Sequence, residues 1–358
     1  MAREKVSPGK GESLWGGQLP NYELVPLEYD EIQVAAIQMN PIMDVDPRKP
    51  KAMVRANLKR MLELCEQASE TFAAPLWAQG NYQKRINLVA FPEFTLTGYS
   101  HQRTREDWLN IAIEVPGGEE IKAIARMAKK LNCYIEFASH IQEKDWPGHY
   151  FNTSMIVDPE GKLIHKHWKA YSGGPGFEWA TTVHEVLDEF VDRYGWDAVW
   201  PVARTPIGNI ATYVCSESFA PENARIFAMK GAEILCLSIA GGGWDNRSGK
   251  LRVAFRAQCI NSGLWGIYSN SRDGGSMIVD PDGRIMAEAL DSGEKVVSYI
   301  IPIGLFRAAH SKPYIRTELY TPVLENYSGK YPPNMYSNSG VPKTRMDACR
   351  LASKHARW

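Results

Sequence analysis

At 358 residues, 44% hydrophobic and 23% charged, the chain has the makings of a large globular core rather than of a disordered or fibrous protein. Basic and acidic side chains balance at 41 each, so no net field recruits nucleic acid or an anionic membrane, and the expected partner is a small molecule. No stretch approaches the roughly eighteen apolar residues of a spanning helix, and Met1 to Trp15 lacks the apolar segment of a secretory signal, which points to the cytoplasm and to no membrane partner.

Residues 1–30, rich in Gly, Pro and charge, read as an N-terminal extension. Regular structure begins with a mostly apolar strand, Ile32 to Met39. Val54, Leu58, Met61, Leu62 and Cys65 follow at helical spacing. Ile86 to Phe91 is a second apolar strand ending in Pro92-Glu93, Ile121, Ile124, Ala125, Ala128 and Leu131 mark a second amphipathic helix, and Cys133 to Ala138 a third strand. Ser154 to Lys162, SMIVDPEGK, is a strand, an Asp-Pro turn with glycine, and a returning strand. Residues 170–206 look like an insertion, with a GGPG turn, an acidic helix-like run VHEVLDEFVDRYG and three tryptophans. Strands at Ile207 to Val214, Glu233 to Ser238 and Leu264 to Ser269 then alternate with helices at Pro221 to Lys230 and Leu251 to Ile260. Ser276 to Arg284, SMIVDPDGR, repeats the earlier hairpin. The tail, residues 311–358, is rich in Tyr, Pro, Asn and Ser without periodicity, and is expected to pack on the body or on a second subunit of a homo-oligomer.

Two near-identical nine-residue segments at corresponding places imply a duplicated half-domain. Alternating β and α elements imply parallel strands joined by crossover helices. Nearly continuous apolar runs such as Ile234 to Ile239 imply sheets covered on both faces. The expected fold is therefore α/β: a four-layer α-β-β-α sandwich built from two pseudo-symmetric β-α-β-α-β-hairpin halves within residues 31–310.

The six cysteines include no CxxC pair, and a chain this long needs no disulfide staples, so they read as reduced thiols. His165 and His167 alternate on a strand without the spaced partners of a zinc site, so neither metal nor cofactor is expected. Cys215, at the carboxyl end of a strand, is either a small buried hydrophobe or a reacting group, and its neighbourhood decides. Glu93 ends another strand and Lys169 follows the first hairpin. A thiol is mostly protonated at neutral pH and needs a base; a carboxylate whose basicity burial raises can take the proton. An ammonium, with the backbone N–H of Ser216 as second donor, can hold the oxygen that becomes negative when a thiolate attacks a carbonyl or nitrile carbon.

These residues carry a resemblance. VAFPEFTLTGY, DPEGKLIHKHWK and CSESFAPENARIFAMKGAEIL resemble, in order, the glutamate, lysine and cysteine motifs of the nitrilase superfamily of carbon-nitrogen hydrolases, over about residues 31–300. The resemblance implies Glu93 as general base, Lys169 as oxyanion-stabilising cation and Cys215 as nucleophile, with a covalent thioester or thioimidate hydrolysed by water. It implies a second glutamate, Glu178 in GGPGFEW or else Glu185. Substrate contacts are expected from Ser216 and Glu217 beside the cysteine and from Trp179 in the insertion, whose composition suits a pocket wall, and the resemblance implies further contacts from Trp244 and Asp245 after the GGG turn. An amidase acting on a small carboxamide is the leading expectation, with N-carbamoyl amidohydrolase or nitrilase as alternatives and amide-forming acyl transfer more distant. A nitrilase is less favoured because Cys215 is followed by Ser-Glu rather than Trp-Glu.

Overall fold

The computed structural model describes residues 23–44, 46, 48–71, 86–172, 179–241, 249–271, 274–309, 315–329 and 331–355. In the first half the chain runs β1 (Ile32–Gln38), α1 (Pro50–Glu70), β2 (Leu88–Ala90), α2 (Arg105–Ile111), β3 (Ile113–Glu114), α3 (Glu119–Leu131), β4 (Tyr134–Gln142), β5 (Phe151–Val157) and β6 (Leu163–Trp168). After α4 (Leu187–Tyr194) and β7 (Val202–Thr205) come β8 (Gly208–Val214), α5 (Pro221–Met229), β9 (Ile234–Ala240), α6 (Lys250–Ser262), β10 (Trp265–Ser271), β11 (Met277–Val279) and β12 (Ile285–Glu288). The chain finishes with β13 (Lys295–Ile301), α7 (Ile303–Ala309), α8 (Thr317–Asn326), α9 (Met335–Ser339) and α10 (Arg345–His355).

The strands form two sheets, ordered β13-β1-β2-β4-β5-β6, with β3 beside β4, and β12-β11-β10-β9-β8-β7. In each, three parallel strands lead into an antiparallel hairpin. The repeat seen in the sequence is a repeat of structure. Asp158 N–H donates to Lys162 O in one turn and Asp280 N–H to Arg284 O in the other. Both hairpins carry a register shift just before the Asp. Each half also receives an antiparallel flanking strand, β13 against β1 and β7 against β8.

Alternation along the strands creates the layers. Val34 and Ala36 of β1 face inward and meet Ile210, Ile234 and Ile267 of the other sheet, while Ala35 and Ile37 face outward onto Val54, Met61 and Leu64 of α1. The second sheet covers its outer face with Phe227 of α5 and Phe255 and Cys259 of α6. The four-layer sandwich follows.

Helix α4 of the insertion and α9 and α10 of the tail pack on the first half, while β7 at the end of the insertion joins the second sheet. Trp168 at the end of β6 meets Phe190 edge-on and stacks on Tyr194 of α4. The tail departs from the expectation of irregular chain: it holds α8, α9 and α10, with Met335, Tyr336 and Ala348 in the same core cluster as α1. Arg105 fastens it, its backbone N–H donating to Lys343 O and its Nε to Pro342 O. These helices run 10, 5 and 11 residues, and the middle one is too short for a period to show in sequence.

The hairpin turns need glycine. Gly161 has φ +75°, and a Cβ there would lie 2.6 Å from Lys129 Cε and 3.1 Å from Ala125 O on α3. Gly161→Ala is expected to lower stability by about 1–2 kcal/mol from the left-handed backbone alone, read as a lower urea midpoint at unchanged slope. Gly117→Ala, with open space around it, should change little.

Candidate active site

Three strand ends build the site. β2 leaves its sheet through Phe91, Pro92 and Glu93, and turns at Phe94, whose φ is +59°. The exit is clipped to the opposite sheet: Ser238 Oγ donates to Phe91 O at 2.9 Å and Glu93 N–H to Ile239 O at 3.4 Å. Glu93 is 1% exposed, and its Oε1 accepts from Asn152 Nδ2 at 2.7 Å and from Lys169 Nζ at 3.2 Å. Asn152, on β5, was not singled out from sequence. Its carbonyl also accepts the Lys169 N–H at 2.9 Å, so one residue holds both the lysine backbone and the glutamate side chain.

Lys169 follows β6 and is 4% exposed. Cys215 follows β8, is half-buried, has φ +50° and opens a 3-10 turn, Cys215–Phe219. Its carbonyl accepts from Ser218 Oγ at 2.7 Å. Glu217 fastens this turn to the lysine strand. Its Oε2 accepts from Val214 N at 2.8 Å and its Oε1 from Ala170 N at 2.8 Å, so the residues adjoining Cys215 and Lys169 share one carboxylate. His167 Nε2 lies 3.1 and 3.0 Å from the two oxygens and donates to them, and its ring stacks on Trp200. All three candidate residues thus lie in one hydrogen-bonded assembly: a carboxylate against an ammonium, with the thiol-bearing turn tied to the same strand end.

Two expected substrate contacts are corrected. Glu217 is fully buried with both oxygens engaged by Val214, Ala170 and His167, so it shapes the site from behind and does not face a ligand. Trp179 is 1% exposed within the core of the first half, and its carbonyl accepts from Arg105 Nη2. Glu185 caps its own helical turn by accepting from Thr182 N and Oγ1. Ser216 sits half-buried beside Cys215 in the turn. Glu178, Trp244 and Asp245 lie outside the described residues. Lys166 pairs with the half-buried Glu143, whose other oxygen accepts from Trp168 Nε1 at 2.7 Å.

Four of the other thiols, Cys65, Cys133, Cys236 and Cys259, are fully buried. Burial pushes Cys65 and Cys236 well above the usual thiol range, Cys133 to about 12, and Cys259 upward. A cavity beside Glu93 is walled by Pro41, Met43, Phe94, Gly98, Tyr99, Ala240 and Ser271. Among the described residues no three His, Cys, Asp or Glu side chains are grouped to hold a metal, and no helix is long and apolar enough to cross a membrane.

The family model for carbon-nitrogen hydrolase matches residues 33–310. This chain belongs to the carbon-nitrogen hydrolase family. It is similar to nitrilase 2 of Arabidopsis thaliana, 23% identical over 283 residues covering 68% of this chain and 76% of that protein. It is also similar to a formamidase of Pseudomonas syringae pv. tomato, 27% identical over 248 residues covering 66% and 65%. Among solved structures it superposes on an amidase from Nesterenkonia sp. at TM-score 0.59 and 18% identity, covering 81% of this chain and 95% of that one. Saccharomyces cerevisiae Nit3, a member of branch 10 of the nitrilase superfamily, superposes at TM-score 0.57 and 20% identity, covering 83% and 96%. The chain is a carbon-nitrogen hydrolase of the nitrilase superfamily, and the two-sheet fold is the one these neighbours share.

In this carbon-nitrogen hydrolase the corrected positions give opposite expectations. Trp179→Ala should cost about 3–5 kcal/mol of stability while leaving the ranking of substrates unchanged, measured by denaturation and by an amide panel. Glu217→Ala strands two buried N–H groups and His167. It should cost about 3–5 kcal/mol and lower turnover even where the fold survives at low temperature.

Proposed function

We propose that this carbon-nitrogen hydrolase is an amidase that converts a small carboxamide to its carboxylate through a thioester on Cys215. The supporting observation is the buried Glu93–Lys169 contact at 3.2 Å, joined through Asn152 and Glu217 to the turn that carries Cys215. In this reading Glu93 takes the thiol proton as sulfur attacks the carbonyl carbon. The C=O pair moves onto oxygen, which Lys169 Nζ and the Ser216 N–H stabilise. Collapse breaks the C–N bond, and the departing nitrogen takes the proton from Glu93. Water then attacks the thioester, giving a proton to Glu93, and a second collapse expels the thiolate, which recovers that proton.

The same residues suit a nitrile, where the attack gives a thioimidate, and the Arabidopsis nitrilases keep that reading in play. Ser216, in place of the tryptophan common in true nitrilases, favours the amide. Ammonia release from a panel of amides, nitriles and carbamoyl compounds separates the three. A cytoplasmic, reducing setting suits a nucleophilic thiol that must stay free.

Cys215→Ala should abolish turnover with the fold intact, and the wild-type enzyme caught with substrate should carry an acyl group on the Cys215 peptide by mass spectrometry. Lys169→Met should lose on the order of a hundred- to a thousand-fold in turnover. Lys169→Arg should lose nearly as much, because a broad planar fork does not replace a point charge. Lys166→Met should keep most activity, since that lysine serves Glu143. Full turnover in Cys215→Ala, or a dispensable Lys169 beside an essential Lys166, would sink the assignment.

A further inference from the structure

Glu136, the third residue of β4, is fully buried between the sheets, and none of the chemistry above uses it. Its Oε1 is 2.6 Å from Ser154 Oγ on β5 and 2.8 Å from Ser238 Oγ on β9, and its Oε2 has no partner. Ser238 Oγ is also 2.9 Å from Phe91 O, two residues before Glu93. A serine has one O–H and cannot donate to both acceptors. With Glu136 ionised, Ser238 serves either the carboxylate, which also keeps Ser154, or the Phe91 carbonyl, and the other goes without that donor. With Glu136 protonated, Oε1–H donates to Ser238, Ser238 donates to Phe91 O, and Ser154 donates to Oε1. Protonation satisfies all three, and leaves Oε2 as a neutral carbonyl oxygen rather than as half of a buried charge.

We propose that Glu136 is a positioning residue for Glu93: as a neutral carboxylic acid it closes a hydrogen-bond chain through Ser238 to the Phe91 carbonyl and fixes the exit from which Glu93 works. The inference rests on the reading of Glu93 as the base. The same exit is held by Glu93 N–H on Ile239 O, the residue after Ser238, so one two-residue stretch of β9 grips the segment at both ends. Burial, partly offset by the serine bonds and by the Phe91 backbone N–H, pushes Glu136 up to about 7, consistent with a proton held in the folded state. The titratable groups on the surrounding strands give no counter-charge for an ionised Glu136. Cys236 on β9 is held well above the thiol range. His165 on β6 is lowered to about 3 by burial and bonded to Thr212. His167 is engaged by Glu217, and Lys169 and Glu93 by each other.

The test uses alkylation of Cys215 by iodoacetamide across pH, alongside amide turnover, in a Cys349→Ser background because Cys349 is also partly exposed. Glu93→Gln sets the full effect of losing the base. Glu136→Gln, with Nε2 in the place of Oε1, still gives Ser238 a donor while Ser154 turns from donor to acceptor, and should alkylate and turn over close to the wild type. Glu136→Leu and Ser238→Ala each break the chain, and should slow alkylation and kcat by about ten- to a hundredfold with KM little changed, as expected when a reacting group is misplaced by a fraction of its reach. Their double variant should lose no more than either alone. A carboxyl raised on folding contributes stability that is full below the unfolded value of 4.5 and is lost as pH rises toward about 7. The wild type should therefore lose Tm relative to Glu136→Gln across that window. Its infrared spectrum should also show a protonated-carboxyl band that Glu136→Gln lacks. Glu136→Gln as slow as Glu136→Leu would show that the charge is needed and overturn the proposal, as would full rates in Ser238→Ala, which decides the matter if Glu136→Leu does not fold. A wild type that turns over no amide, nitrile or carbamoyl compound would count against the amidase reading, while the alkylation series would still decide the role of Glu136.

Discussion

The site depends on one buried carboxylate. Glu217 accepts Val214 N–H from the end of a strand in the second sheet, and Ala170 N–H and His167 from the end of a strand in the first. Apolar packing between sheets has no direction and tolerates sliding, whereas two backbone N–H groups on the two oxygens of one carboxylate allow a single relative placement. Other polar contacts cross the same interface: His165 to Thr212, Ser269 to Ala90 O and Ser238 to Phe91 O. Each sits among apolar neighbours, where an unpaired polar atom is costly, so the contacts penalise any register but this one.

The duplication supplies the scaffold but not the chemistry. Three parallel strands and a hairpin recur in both halves, and the same Asp-Pro turn closes each hairpin. The groups that matter stand at ends that are not symmetry mates in kind. Glu93 leaves β2 and Lys169 leaves β6 in the first half, while Cys215 leaves β8 in the second. The corresponding end of β1 carries Met39 and Asn40, and β12 ends near Ala289. A twofold arrangement brings strand ends together from both sheets, and substitution on one side of it then sets different side chains face to face.

Much of this was legible in sequence because it depends on period and repetition. Strands such as Ile234–Ala240 and helices such as Pro221–Met229 fall within a residue or two of where the apolar pattern puts them. The candidate trio was visible because Glu93, Lys169 and Cys215 each follow an apolar or alternating strand. Burial of a polar side chain was not. Glu217, two residues past Cys215, reads as a pocket residue until its oxygens are found on backbone N–H groups. Glu136 interrupts the otherwise apolar run Tyr134 to Ala138, and that interruption was the available signal: a polar group inside a strand buried on both faces must have a partner, whereas Asn152 and His167 stand among other polar residues and gave none. Trp179 misled for the converse reason, since a tryptophan in an insertion fits a lid or a core equally well until its neighbours are known.

The two exits that carry Glu93 and Cys215 share a strained backbone. Phe94, at φ +59°, and Cys215, at φ +50°, occupy the left-handed region that costs a side-chain-bearing residue about 1–2 kcal/mol. Glycine would remove that cost, yet it would also remove what each side chain does. The Phe94 ring stacks against Tyr99 at 4.8 Å and His140 at 4.9 Å, contacts of about 0.5–1.5 kcal/mol each, which offset the strain and keep the turn after Glu93 in one shape. The conformation of Cys215 is fixed from the backbone side, by Ser218 Oγ on its own carbonyl and by Glu217 on the preceding N–H. A left-handed residue at the end of a strand projects its side chain out of the sheet's alternation. Strain at these two positions and the contacts that sustain it are therefore one arrangement, which locks the backbone at the exits that carry the carboxylate and the thiol.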